Sequence, residues 1–325
     1  METAILGLGL LGLFFGLLLG IASKIFYVEI DERVEKINEA LPAANCGACG
    51  YAGCMGLAEA IVKGEAPPDA CIPGGASTTK KICEIMGSTA TNSKPKVAFL
   101  KCKGTKLDTK NKFDYYGVND CKAAVLMSNG FKSCEYGCLG LGTCVKVCPF
   151  DAIFINEETG LAEVIVDKCT GCGKCVKECP KNVLELIPCD AEVFVTCNSQ
   201  DKGAHVKKVC DRGCIGCKIC EKVCPFGAVK VDNNIAHIDY SLCRSCNLCY
   251  EKCPVKVIDS KVTVKKKAFI EDEKCIGCTI CKKVCPADAI EGELKGKHTV
   301  ITDKCIGCSI CYEKCPKKAI EMKEV

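Results

Sequence analysis

The chain has 325 residues, no Trp, 6% aromatic residues and 34 cysteines, which excludes large aromatic cores and leaves burial alone too weak to hold several ordinary domains. Its 44 basic and 40 acidic residues give a formal charge of +4, too slight a balance to argue for a nucleic-acid partner. Only three His are present, no phosphate-cradling loop occurs and no nucleophile–base arrangement stands out, so no catalytic residue is assigned.

Residues Ala4–Ala22 carry no charge and are mostly Leu, Gly, Ile and Phe, long enough to cross a bilayer as one helix. Glu2 precedes the run and Lys24 follows it; with no basic segment in front and no cleavage site behind, residues 1–27 are expected to be a retained, single-pass anchor. The positive bias after it puts the remainder on the cytoplasmic side of the cell membrane. Gly12, Gly16 and Gly20 recur at four-residue intervals, a spacing that admits a second membrane helix. Gly7, Gly9 and Gly12 spell GxGxxG without a preceding strand, so a dinucleotide site is rejected.

Val34, Ile37 and Leu41 recur at helical spacing and predict a short amphipathic helix leading into Pro42. Cys46, Cys49 and Cys54 follow on a Gly/Ala-rich loop, with Cys71 later; glycine lets backbone amides approach sulfur, and residues 28–75 are expected to form a single-cluster domain. The turn to Gly, Ser, Thr, Pro and Lys that follows predicts a linker over residues 76–96.

Beyond it, five stretches read C-x2-C-x2-C-x3-C-P, and a sixth, Cys138 to Pro149, keeps the frame except that Leu141 replaces the second cysteine. Three thiolates on one tight loop suit three irons of a cubane, while the fourth, before proline, turns to the neighbouring cluster. Zinc ribbons need paired cysteines and no third and fourth in phase with proline, and disulfide scaffolds are short and secreted. Paired in order, the frames give three two-cluster modules, residues 97–190 with a leading extension, 191–260 and 261–325.

The segment from Cys134 to Ile153 aligns without gaps to that from Cys210 to Val229, and VAFLKCKG around Cys102 parallels EVFVTCNS around Cys197. Short alternating hairpins fill the gap between the two frames of each module. The fold class is therefore α+β, with β-α-β-β-α-β modules of the bacterial ferredoxin kind, a short helix beginning at each Cys-Pro.

Cross-ligation assigns Cys148, Cys169, Cys172 and Cys175 to one cluster of the first module. It assigns Cys214, Cys217, Cys220 and Cys253, then Cys224, Cys243, Cys246 and Cys249, to the second. The third receives Cys275, Cys278, Cys281 and Cys315, then Cys285, Cys305, Cys308 and Cys311. Leu141 leaves Cys138, Cys144 and Cys179 one thiolate short; Cys134, four residues upstream, is the candidate fourth ligand, a three-iron, altered or empty site being the alternative. Cys83, Cys102, Cys121, Cys189, Cys197 and Cys210 remain, each expected to be a buried inert thiol, an additional metal site being the alternative.

The count is thus about seven [4Fe-4S] clusters, and at about 2− each these would turn the loaded chain to about −10. Lys265–Lys267 is expected to be a solvated edge-strand run, docking of an acidic carrier being the alternative. Such an array exchanges single electrons and needs no substrate site, so chemistry on a substrate belongs to a partner.

A membrane run, then CGACGYAGC with Cys71, then ferredoxin repeats including CLGLGTCVKVCPFDAI, resembles the RnfB family, the B components of Rnf complexes, in its long, many-cluster form, over nearly the whole chain. The resemblance implies a relay from reduced ferredoxin to other Rnf membrane and peripheral subunits of an enzyme that reduces NAD and exports Na+ or H+. Cys46, Cys49, Cys54 and Cys71 carry over as ligands of the membrane-proximal cluster, and this chain itself is expected to bind neither flavin nor nicotinamide. The rival readings are a membrane-tethered polyferredoxin serving a hydrogenase or formate dehydrogenase, and a metal store. A store has no need of cysteines held in fixed phase.

Overall fold

A computed structural model describes residues 2–25, 31–89 and 95–325, divided into two units, Met1–Asn92 and Ser93–Val325. The first opens with α1, Glu2–Ile25, on which Leu10, Leu13, Phe14 and Leu17 leave more than half of their surface exposed. Side chains at its first positions, and residues 26 and 27 of the expected anchor, lie outside the described residues. Among the described residues no helix is long and apolar enough to cross a membrane.

Asp31 caps α2, Glu32–Ala40, by accepting the Arg33 N–H at 2.9 Å, which satisfies one of the orphan donors at a helix start. Val34, Ile37 and Leu41 form the buried stripe expected from their spacing, and they pack with Leu57 and Ile61 of α3, Cys54–Val62. A fourth helix, α4, Gly75–Met86, occupies most of the stretch expected to be a linker. Thr78, Thr79, Ile82 and Cys83 share its buried face, and left-handed Gly87 ends it. Only residues 90–94 of the expected linker lie outside the described residues. The polar composition concealed a stripe of one strong apolar residue, small threonines and a thiol.

The second unit repeats one plan three times. In the first module an outer pair, β1 Lys96–Leu100 and β4 Leu184–Pro188, encloses a hairpin, β2 Ile153–Asn156 and β3 Leu161–Val164. The second pairs β5 Val193–Val195 with β8 Ile258–Ser260 around β6 Val229–Asp232 and β7 Ile235–Ile238. The third pairs β9 Lys266–Ile270 with β12 Ile320–Glu324 around β10 Ile290–Glu291 and β11 Thr299–Val300. All six ladders are antiparallel, as the alternating segments and mid-gap turns require.

One helix precedes each hairpin and one follows it: α6 Thr143–Lys146 and α7 Lys174–Glu178, α9 Ile219–Val223 and α10 Leu248–Lys252, α11 Ile280–Val284 and α12 Ile310–Lys314. Two further helices, α5 Cys121–Val125 and α8 Gly203–Val209, belong to the extensions of the first two modules. The helices end at the Cys-Pro pair and do not begin there: Cys179, Cys224, Cys253, Cys285 and Cys315 are extended C-caps. Proline disfavours the helical conformation of the residue before it, so in these frames it serves as a stop.

Apolar burial in the modules is thin. The buried cluster of the third is Ala268, Ile290 and Ile320 with Cys281 and Cys311. At Lys265–Lys267, Lys265 pairs with Glu251 and Lys266 with Glu324, so the run is a partly neutralised strand edge. Ion pairs join the modules, Lys103 to Asp259 at 2.6 Å and Arg244 to Glu313 at 2.8 Å.

Because Ile82 is fully buried against α2 and α3, Ile82→Ala is expected to lower the local stability of this helical unit by about 2–4 kcal/mol. Hydrogen–deuterium exchange of the α2 and α4 peptides should quicken accordingly, and unchanged protection there would disprove the docking of α4.

Candidate metal centres

Each regular frame is a curled loop running into one turn of helix. Gly171, Gly216, Ser245, Gly277 and Gly307, just before the second cysteine, have φ between 49° and 72°, and Gly173, Lys218, Asn247, Thr279 and Ser309, just after it, have φ between 59° and 75°. Two left-handed residues astride one cysteine bend the backbone so tightly that three thiols share one side. The irregular frame keeps the curl, with Gly140 and Gly142 at 74° and 77° around Leu141. The third cysteine, Cys175, Cys220, Cys249, Cys281 or Cys311, is then the second residue of its helix and is buried. After the C-cap the fourth thiol accepts a backbone N–H four residues on: Ala152 to Cys148 at 3.4 Å, Ala289 to Cys285 at 3.3 Å and Ala319 to Cys315 at 3.3 Å.

The cross-ligated sets expected from the spacing come together. Cys275, Cys278, Cys281 and Cys315 line a hollow of about 350 Å³, and Cys285, Cys305, Cys308 and Cys311 line another of about 350 Å³. Cys148, Cys169, Cys172 and Cys175 line a third of about 340 Å³. In the second module Cys214, Cys217 and Cys253 crowd Cys220, and Cys224, Cys243 and Cys246 crowd Cys249. Burial first, then these neighbouring thiols, push Cys220 up to about 11 and Cys249 up to about 12. In the helical unit Cys46, Cys49 and Cys54 surround Cys71, whose thiol burial again raises.

Among the described residues no group of three or more His, Cys, Asp or Glu is drawn together tightly enough to hold a single metal ion. The thiols stand instead around hollows with apolar walls, and backbone N–H groups donate to their sulfurs. An all-thiol donor set around such a space fits an inorganic iron–sulfur cubane.

Beside the deficient set lies a further thiol that the spacing did not indicate. Burial pushes Cys144 up to about 12, and the thiols Cys138, Cys121, Cys179 and Cys175 add to it. Cys121 begins α5, whose cap Asp120 accepts the Lys122 N–H at 2.8 Å and the Thr143 hydroxyl at 3.2 Å. The Cys121 N–H in turn donates to Thr143 Oγ1 at 2.7 Å, and Thr143 adjoins Cys144. Asp120 as a helix cap was the one local sign of this, since no fixed interval links residue 121 to its frame. Cys134, the fourth member expected from the sequence, lines another hollow, with Cys102, Cys197 and Cys210. Of the remaining thiols, Cys83 is buried in α4 and Cys189 is exposed.

Comparison with known proteins agrees with this arrangement. Families described as 4Fe-4S dicluster domains match residues 268–322, 128–180, 213–258, and 168–228 with 242–289. A family described as a putative Fe-S cluster matches residues 41–73. The B component of the Na+-translocating ferredoxin:NAD+ oxidoreductase complex of Acetobacterium woodii is 50% identical over 259 residues, 80% of this chain and 78% of that one. The B component of an ion-translocating oxidoreductase complex of Methanosarcina acetivorans is 43% identical over 77% of this chain and 94% of its own. Its counterpart in the proton-translocating ferredoxin:NAD+ oxidoreductase complex of Clostridium ljungdahlii is 44% identical over 78% and 90%.

The raised thiols give a pH dependence of known sign. A thiol lifted from near 9.0 to about 12 is held in its protonated form, so below pH 9 its proton stabilises the metal-free fold, and that contribution is lost as pH climbs towards 12. Metal needs the thiolate, so loading must displace about four protons per centre. Iron and sulfide uptake by the metal-free chain is therefore expected to strengthen between about pH 7 and about pH 8.5 with proton release; pH-independent uptake would show that these thiols are not the ligands.

Proposed function

The chain belongs to the RnfB family, the B components of the ion-translocating ferredoxin:NAD oxidoreductases called Rnf complexes, and on that premise we propose that it is the membrane-tethered relay taking electrons from reduced ferredoxin to the other subunits. It is an iron–sulfur electron-transfer subunit of that enzyme. The observation that carries the finer reading is the recurrence of one thiol-lined hollow in tandem through the second unit. Bound there, four-iron cubanes would exchange one electron at a time at low potential.

The ligand sets in this reading are Cys46, Cys49, Cys54 and Cys71; Cys138, Cys144, Cys179 and Cys121; and the five cross-ligated sets of the regular frames. The chain's own part is to hold and to insulate. Backbone N–H donors to Cys148, Cys285 and Cys315 offset the negative charge on sulfur. Ile290, Val300 and Met322 wall one centre of the third module and keep water from it. Helix α1, with apolar side chains exposed on every side, serves in this reading as the anchor to a cytoplasmic membrane, and its partners there are the membrane subunits of the complex.

Anaerobic titration of the full chain with reduced ferredoxin, followed by EPR, should reveal stepwise reduction of several four-iron centres. A chain that stays redox-silent with this donor is no such relay. Cys121→Ala is expected to cost about one to four irons per chain and to alter the EPR signal of a single centre, while Cys83→Ala, outside every set, leaves both unchanged. Full iron content in the Cys121 variant would return the fourth ligand to another residue.

A further inference from the structure

Four of the thiols left over by the ferredoxin frames meet at the junction of the first two modules. Cys102, Cys134, Cys197 and Cys210 line a hollow of about 390 Å³, close in size to the three of about 340–350 Å³ lined by frame cysteines. A Cβ built on Gly104 would lie 3.3 Å from Cys210 Sγ and 3.8 Å from Cys102 Sγ, and one on Gly137 would lie 3.6 Å from Cys134 Sγ and 3.8 Å from Cys102 Sγ. Both glycines therefore lie directly beside the sulfurs. Cys134 and Cys197 are buried, and all four are free thiols.

The sulfurs have the donors that the frame sulfurs have. Cys138 N–H donates to Cys102 at 3.5 Å, Cys214 N–H and Ser199 N–H to Cys197 at 3.3 and 3.4 Å, and Thr109 Oγ1 to Cys210 at 3.7 Å. Positive charge is at hand as well. Lys132, only 4% exposed, lines the hollow and donates to the Gly104 carbonyl at 3.2 Å, and Arg212 lines it from the other module. A buried lysine facing four neutral, inert thiols would be an expense with no return, whereas beside a dianionic group it is neutralising.

The contributors are related in pairs. Cys102 and Cys134 stand in the first module where Cys197 and Cys210 stand in the second, each pair being the residue two past the leading strand and the residue four before a frame. Each extended module supplies half of a site, and the third, lacking the extension, supplies none. We propose that Cys102, Cys134, Cys197 and Cys210 ligate a further four-iron, four-sulfide cluster, which bridges the clusters of the first and second modules. Its position follows from the N–H donors: one belongs to Cys138 of the group before it and another to Cys214 of the group after it.

This inference rests on the cubane reading of the other centres, and its test separates the two. Native mass spectrometry with iron, sulfide and zinc analysis of the anaerobically purified full chain should count about 32 iron and 32 sulfide, against about 28 for the frames and the helical unit alone. Cys197→Ala/Cys210→Ala should lose about four of each and the mass of one cubane, with Cys189→Ala as the unaffected control. About 28 iron in the natural chain, one zinc in place of the additional four irons, or a double variant that keeps its full complement would overturn the proposal. The count in the natural chain decides the matter even if the variant does not fold. A chain with no iron at all would sink the broader reading instead.

Discussion

Four sulfurs held apart around a space that no side chain fills is the constraint from which the rest of the second unit follows. The buried cluster of the third module is three aliphatic residues and two cysteines, a small core to hold eight sulfurs in place by packing alone. Sheet and helix here are brackets for sulfur, and in the cluster-bound reading the bonds between sulfur and metal would supply the stability that burial does not. The six ladders are short because positioning one loop and one helical turn at each end is all that they must do.

The same constraint decides how much could be read from the sequence. Where all four thiols of a set lie in the repeating frame, the interval between cysteines dictates the geometry, and Cys285 with Cys305, Cys308 and Cys311 meet as the spacing requires. Strand order and hairpins were equally legible, since alternation along AVKVD and IAHI has few other meanings. What escaped was whatever depended on chain folded back from a distance. Cys121 is tied to Thr143, the neighbour of Cys144, by its own N–H and by Asp120, and no periodicity encodes that tie. Helix α4 was hidden by composition, and the Cys-Pro proline acts opposite to expectation: it is a residue compatible with a helix start that here limits a helix end.

Joining the modules is a separate physical problem from folding them. The pairs Lys103–Asp259 and Arg244–Glu313 are partly or largely exposed and are worth about 0–1 kcal/mol each. Between the first two modules the extensions add a second kind of contact, with sulfurs from both sides around a common space and a lysine buried beside it. The repeat thus has two uses of cysteine, one inside each module and one between copies.

The loop around Leu141 shows how such a chain accommodates change. Gly140 and Gly142 retain the left-handed pair of a frame whose middle thiol is gone, and Gly140 lies so close to the Gly160 carbonyl that a β-carbon there would collide with it at 2.2 Å. The backbone there keeps the curl of the regular frames although its second position carries no thiol. In the proposed ligand set the fourth donor comes from α5, so the redox tuning of that one centre would depend on how α5 is held as well as on the frame itself.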